Sequence, residues 1–173
     1  MSEMEKKANV FMEDTRFIFK TNFSGDPERD SYGSEERKAN IIIPTEEQAN
    51  ELAAAGFNVK VTKPKEGAEE DFIPVYFISI KVNYESEWPP KIYLVVGDAE
   101  PRLLDEESID TLDKIYITNV KAVLNPYYSR KNDRWSLYVK TLYVEQDIED
   151  DPYAASYRNR GNRTEDRESL PFN

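Results

Sequence analysis

The stretch Lys114–Val144, KIYITNVKAVLNPYYSRKNDRWSLYVKTLYV, constrains the fold of this chain more than any other. It is rich in Ile, Val, Tyr, Leu and Thr, residues that suit a pleated, half-buried surface. Tyr116, Val120, Ala122 and Leu124 recur at spacings of two or four, which puts them on one face of a strand. Further on, Leu142 and Val144 alternate with Thr141 and Tyr143. Between the two runs, Asn125–Asp133 reads as a turn from its Asn-Pro and Asn-Asp content. The stretch is therefore expected to be two β-strands joined by a basic, aromatic loop.

That loop runs against the electrostatics of the rest of the chain, which carries a net charge of −11. From Lys121 to Lys140 the cations Lys121, Arg130, Lys131, Arg134 and Lys140 face a single carboxylate, Asp133. The same window holds Tyr127, Tyr128, Trp135 and Tyr138. Cations attract phosphates and flat rings stack on unpaired bases, so the mixture suits single-stranded nucleic acid. A solvated hairpin tip made of good strand residues would look similar, so the rest of the chain has to decide.

Composition narrows the chemistry. There is no cysteine, which removes disulfides and thiolate metal sites, and no histidine, which removes imidazole bases and ligands. Catalysis would have to rest on carboxylates, lysine or tyrosine. The acids Asp105, Glu106, Glu107 and Asp110 lie close together early in a helix-like segment, an ordinary capping pattern. No enzyme activity, metal or cofactor is expected. No apolar run approaches the length that spans a bilayer, and MSEMEKKANV lacks the apolar core of a secretory signal. A cytoplasmic protein without membrane contact is the expectation.

Along the chain, residues 1–14 read as a flexible arm. Thr15–Phe23 and Arg37–Ile43 read as strands around a polar loop. Pro44–Gly56 is the clearest helix: Thr45 and Gln48 form a capping box, and Gly56 supplies a left-handed stop. Phe57–Thr62, Phe72–Tyr84 and Lys91–Val96 follow as strands, the second with Tyr76, Ile78, Ile80 and Val82 facing the core. Leu104–Lys114 reads as a short helix or helical turn. Residues 148–173 hold few branched apolar side chains and are expected to form a flexible acidic tail, leaving 15–147 as the domain. Five to seven strands with frequent turns favour a mainly β fold. The specific expectation is a five-stranded antiparallel barrel of the oligonucleotide-binding (OB) type, with added strands and short helices. A β-sandwich is the alternative.

Four segments carry a family resemblance: GFNVKVTKP at 56–64, PPKIYLV at 89–95, LLDEESIDTLD at 103–113 and NVKAVLNPYYSRKNDRWSLYVKTLYV at 119–144. They resemble the single-stranded DNA-binding proteins of tailed bacteriophages, over about residues 15–150. The resemblance implies an OB fold, sequence-tolerant binding of single-stranded DNA, a role in phage DNA replication and recombination, and the host cytoplasm as location. The chain's end, EDRESLPFN, is similar to the acidic tail tip of bacterial single-stranded DNA-binding proteins. That similarity implies protein partners, replication or recombination enzymes, docked through Leu170, Pro171 and Phe172. Asn173 and Arg167 depart from the pattern.

The residues expected to meet DNA are Tyr127, Tyr128, Arg130, Lys131, Arg134 and Trp135. Lys60, Lys63 and Lys65 form a second cationic cluster, from which Lys60 and Lys63 are taken as contacts, and Lys91 accompanies Trp88 in a third pairing of cation and ring. The competing class is an acidic interaction protein or DNA mimic, which the net charge favours.

Overall fold

The structure is a computed structural model and describes residues 7–30, 32–64, 67, 70 and 72–146. The chain is mainly β. Its strands are β1 (Val10–Thr15), β2 (Phe17–Asn22), β3 (Arg37–Ile42), β4 (Lys60–Val61), β5 (Tyr76–Val82), β6 (Lys91–Val96), β7 (Arg102–Leu104), β8 (Ile117–Ser129) and β9 (Arg134–Gln146). One α-helix, α1 (Glu46–Ala54), lies between β3 and β4, and a 3-10 turn, Ile109–Asp113, precedes β8.

The strand pairings run β1–β8–β9–β5–β3–β2. Only Arg16 separates β1 from β2, so the two ends of this path are the halves of one bent strand. The path thus returns on itself as a small, partly open barrel, the circuit expected of an OB domain. Irregular register between Met12 and Thr15, and again between Ile18 and Asn22, provides the bend. Asp14 and Phe19 take positive φ there, a conformation uncommon for side-chain-bearing residues. At the junction Thr15 Oγ1 donates to the Ile42 carbonyl at 2.5 Å, and the Ile42 amide donates to the Arg16 carbonyl at 2.8 Å.

Two features differ from the expectation. The sheet is mixed, because β9 lies parallel to β5 and to β6 while pairing antiparallel with β8. The first strand also starts at Val10, inside the stretch read as an arm. Val10–Met12 alternates weakly, but β8 supplies a ready ladder for it (Val10↔Leu124, Met12↔Ala122), and Met12 is buried by that pairing.

The core fills the barrel from the inward positions: Ile41, Ile80, Val120, Leu124, Leu137, Leu142 and Val144 are sealed from solvent. Ile78, Ile80 and Val82 of β5 face inward, as their period of two required. Helix α1 begins where Thr45 Oγ1 accepts from the Gln48 amide. The Gln48 side chain does not close the capping box; it donates to the Phe11 carbonyl and ties the helix to β1. Gly56, at φ +100, ends the helix, and a Cβ there would stand 3.3 Å from Trp135 Cδ1.

Asp113, at the end of the 3-10 turn, holds the bent strand and the loop after it. Its side chain is 2% exposed. It accepts from Thr21 Oγ1 (2.6 Å) and from the Phe23 and Ser24 amides (2.8 and 2.9 Å), with Arg29 Nε at 3.6 Å. Removing that carboxylate leaves two partly buried amides unpaired. Asp113→Ala is therefore expected to cost on the order of 3 kcal/mol in equilibrium denaturation, and Asp113→Ala unfolding at wild-type denaturant concentration would show the loop to be held by other contacts.

Candidate nucleic-acid interface

On the outside of the barrel wall, β3 presents Lys38, Asn40 and Ile42, between the buried Ala39 and Ile41. Across the ladder stand Lys81, Ser79 and Phe77 of β5. Lys60 of β4 lies opposite Phe77, and Lys81 is in register with Tyr138 of β9. Arg134 and Ser136 precede Tyr138 on the same face. Together Lys38, Lys60, Lys81 and Arg134 line a groove of about 190 Å³, with Ser79, Ser136, Glu36 and Trp135.

Lys38 and Lys81 are directly opposed. Like charges so placed destabilise a sheet. Two carboxylates of the β2–β3 loop offset this: Asp30 Oδ1 lies 2.7 Å from Lys38 Nζ, and Glu36 Oε2 lies 3.3 Å from Lys81 Nζ. The two are not equivalent. Asp30's side chain is 5% exposed, and it accepts from the Tyr32 and Ser34 amides at 2.8 and 2.9 Å. The hydrogen bond from Lys38, then that from the Ser34 amide, hold its carboxyl down at about 2. Glu36 is well exposed and pairs with Lys81. An exposed pair of this kind contributes little, so an incoming anion can take the place of Glu36.

The hairpin rings divide between two faces. Tyr128 and Trp135 are opposed on the ladder, with ring centroids 5.3 Å apart. Their face continues that of the core. Phe57 packs on Trp135 at 5.9 Å, and Lys7 Nζ sits 4.7 Å from its ring centroid. Trp135 thus anchors the segment after α1 while bordering the cationic groove. The Tyr128 hydroxyl donates to Asp133 and closes the turn. Tyr127 points the other way and meets Tyr138 edge to face at 5.8 Å.

Arg130 and Lys131 lie in the turn between β8 and β9, beside Arg134, the first residue of β9. Lys63 follows Thr62, whose hydroxyl accepts from the Val75 amide and holds that loop to the start of β5. Lys91 opens β6, exposed and opposite Thr141, on the far half of β9. Leu170, Pro171 and Phe172 lie outside the described residues. Reading the chain missed Lys38 as a partner of this face. The signal was there in RKANIII, where Lys38 falls on the polar side of the alternation, but its opposition to Lys81 depends on long-range register.

The family model of the phage single-stranded DNA-binding domain matches residues 1–162. No curated protein sequence matches the chain. Among solved structures it is similar to the single-stranded DNA-binding protein from bacteriophage Enc34, at 11% identity and TM-score 0.47, covering 81% of this chain and 82% of that one. It is also similar to gp2.5, a single-stranded DNA binding protein encoded by bacteriophage T7, at 12% identity and TM-score 0.34, covering 80% and 87%. These scores are too low to carry the fold, which rests on the strand pairings.

The Asp30 pair sets a pH dependence. A carboxylate whose folded pKa is depressed contributes stability above its unfolded value, and that stability is lost as pH falls through the folded value. Asp30 is ordinarily near 3.8 and here near 2. Melting temperatures measured from pH 5 downward are expected to fall across that window, less steeply for Asp30→Asn. Parallel curves for the two proteins would contradict the assignment.

Proposed function

Because this chain belongs to the phage single-stranded DNA-binding domain family, we propose that it binds single-stranded DNA along the outer face of β3, β5 and β9. The observation that supports this reading most is the opposition of Lys38 and Lys81 on adjacent strands. Opposed cations cost a sheet unless each has a counter-charge; Asp30 holds that place firmly beside Lys38, whereas a phosphate can displace the exposed Glu36 beside Lys81. Lys60 and Arg134 extend the same groove. A guanidinium there can pair bidentately with a phosphate.

The hairpin turn leads directly into Arg134, which lines this groove. Arg130 and Lys131 there add charge to the path, and Lys63 reaches it from the loop after β4. Trp135, which lines the groove, and Tyr128 packed against it contribute from one face, and Tyr127 contributes from the other with Tyr138. Lys91 serves a strand that continues past Tyr138 toward β6. Binding by backbone charge and ring stacking is tolerant of sequence, which suits a protein that covers unpaired DNA during phage replication or recombination in the host cytoplasm. The segment that follows the domain, with Leu170, Pro171 and Phe172 near its end, serves as a docking tail for replication or recombination enzymes.

Fluorescence anisotropy with oligo-dT and with a duplex of equal length tests the reading. Tight binding of the single strand and weak binding of the duplex are expected. Each phosphate contact to a single strand adds about 0.7 to the salt slope. Removing Lys81 as alanine should lower both affinity and slope, by about that increment. Glu36→Gln should raise affinity several-fold at low salt, because it removes the anion that competes for Lys81. A protein that binds no oligonucleotide at all would instead be an acidic interaction protein or DNA mimic.

A further inference from the structure

A second groove adjoins the first. It has a volume of about 590 Å³ and is lined by Trp88, Tyr127, Tyr138, Asn83, Asn125 and Lys140, with Ser86 and Val139. That is within the range of about 300–1,000 Å³ common for small-molecule sites. Tyr138 borders this groove, and it is also in register with Lys81 of the cationic face. A strand lying over Lys81 therefore reaches it directly.

Its most telling feature is Trp88, which is 86% exposed. An indole belongs in a core or an interface, and this one is in neither among the described residues. The backbone presents it outward by local means. The Trp88 amide donates to Ser86 Oγ at 2.9 Å, and Pro89 and Pro90 stiffen the exit from the loop. Tyr127, which lines the same groove, is 55% exposed. The edge-to-face contact between Tyr127 and Tyr138, at 87°, leaves a ring face open to a third flat group.

The polar groups are of a kind that reads bases. Asn125, exposed and opposed to Tyr138, offers an amide donor and an acceptor side by side; no hydrogen bond of its side chain occurs among the described residues. Asn83 accepts from the Glu85 amide through Oδ1, which leaves its NH2 to donate. Side-chain amides pair bidentately with base edges, and an unstacked base held between rings exposes its hydrogen-bonding edge to them. Lys140 adds a cation for the adjoining phosphate. A protein ligand would not need amides and a cation ringed by separate aromatic faces; a nucleotide uses all three.

We propose that the Trp88 groove is a base-reading pocket that takes one unpaired nucleobase of the bound strand and confers a preference among bases. The inference rests on the reading of the β3–β5–β9 face as the DNA face, and it goes further by adding base discrimination to a site otherwise tolerant of sequence. Trp88 provides the stacking surface, Asn125 and Asn83 the hydrogen bonds, and Lys140 the phosphate contact.

The test is anisotropy with oligo-dT, oligo-dC and oligo-dA of equal length, on the full chain. Wild type is expected to bind the three with affinities that differ several-fold. Trp88→Ala should weaken binding to the preferred homopolymer by about 5- to 100-fold, with an unchanged melting temperature because the indole is outside the core. Asn125→Ala should bring the three affinities within about twofold of one another. If Trp88→Ala binds every homopolymer like wild type while Lys81→Ala is weakened, the pocket is overturned and the DNA face stands. If Trp88→Ala loses affinity but Asn125→Ala keeps the spread among homopolymers, base reading is overturned. If wild type binds none of the three, the reading of the face and the inference fall together.

Discussion

Strand β9 is the constraint on which the rest depends. Along one side it pairs with β8 from Arg134 to Gln146. Along the other it meets β5 with its first half and β6 with its second. With β8 along its whole length and β5 and β6 over most of its other side, its inward residues fall in the core, and Leu137, Val139, Leu142 and Val144 are all buried. Its outward residues are then displayed at fixed spacing on a rigid wall. Arg134, Ser136 and Tyr138 form that display, and their alignment with Lys81 follows from the register with β5. The position of the groove is thus a consequence of how the core is filled.

Electrostatics set the second layer. A chain of net charge −11 can bind a polyanion only if its cations are gathered and its acids are kept from the same place. The groove does gather them, but the β2–β3 loop brings two carboxylates close. The loop is tied down at Asp113 and at Asp30, so the acids stand at defined positions. Asp30 is locked to its own loop's amides and orients Lys38. Glu36 is loosely held, and its pairing with Lys81 is easily exchanged. The Asp113 clamp and the cationic groove are therefore linked, since loosening the loop would alter which acids face which cations.

Much of the fold was legible in the chain. Period-two patterning identified the core face of β5, and Thr45, Gln48 and Gly56 marked the ends of the single helix among the described residues. The hairpin turn was misread in extent. Asn125-Pro126 looks like a turn signal, yet β8 runs on to Ser129 and the turn is confined to residues 130–133. The reason lies in the partner: β1 stops pairing at Leu124. Beyond that point β8 has one neighbour, and a proline is tolerated at an edge. Extending the strand puts Tyr127 and Tyr128 on opposite faces, which a loop reading does not predict. The opposition of Lys38 and Lys81 could not be seen either, because pairing between residues so distant in the chain is fixed by closure of the whole barrel. The same holds for Trp88, whose exposure depends on the loop rather than on any periodicity.

The most direct measurement is amide chemical-shift mapping of the isotope-labelled protein titrated with oligo-dT. The account predicts that the largest perturbations fall on β3, β5 and the first half of β9, with Lys38, Lys81, Arg134 and Tyr138 among them. Perturbations confined to β1, β6 and β7, or none at saturating oligonucleotide, would contradict it.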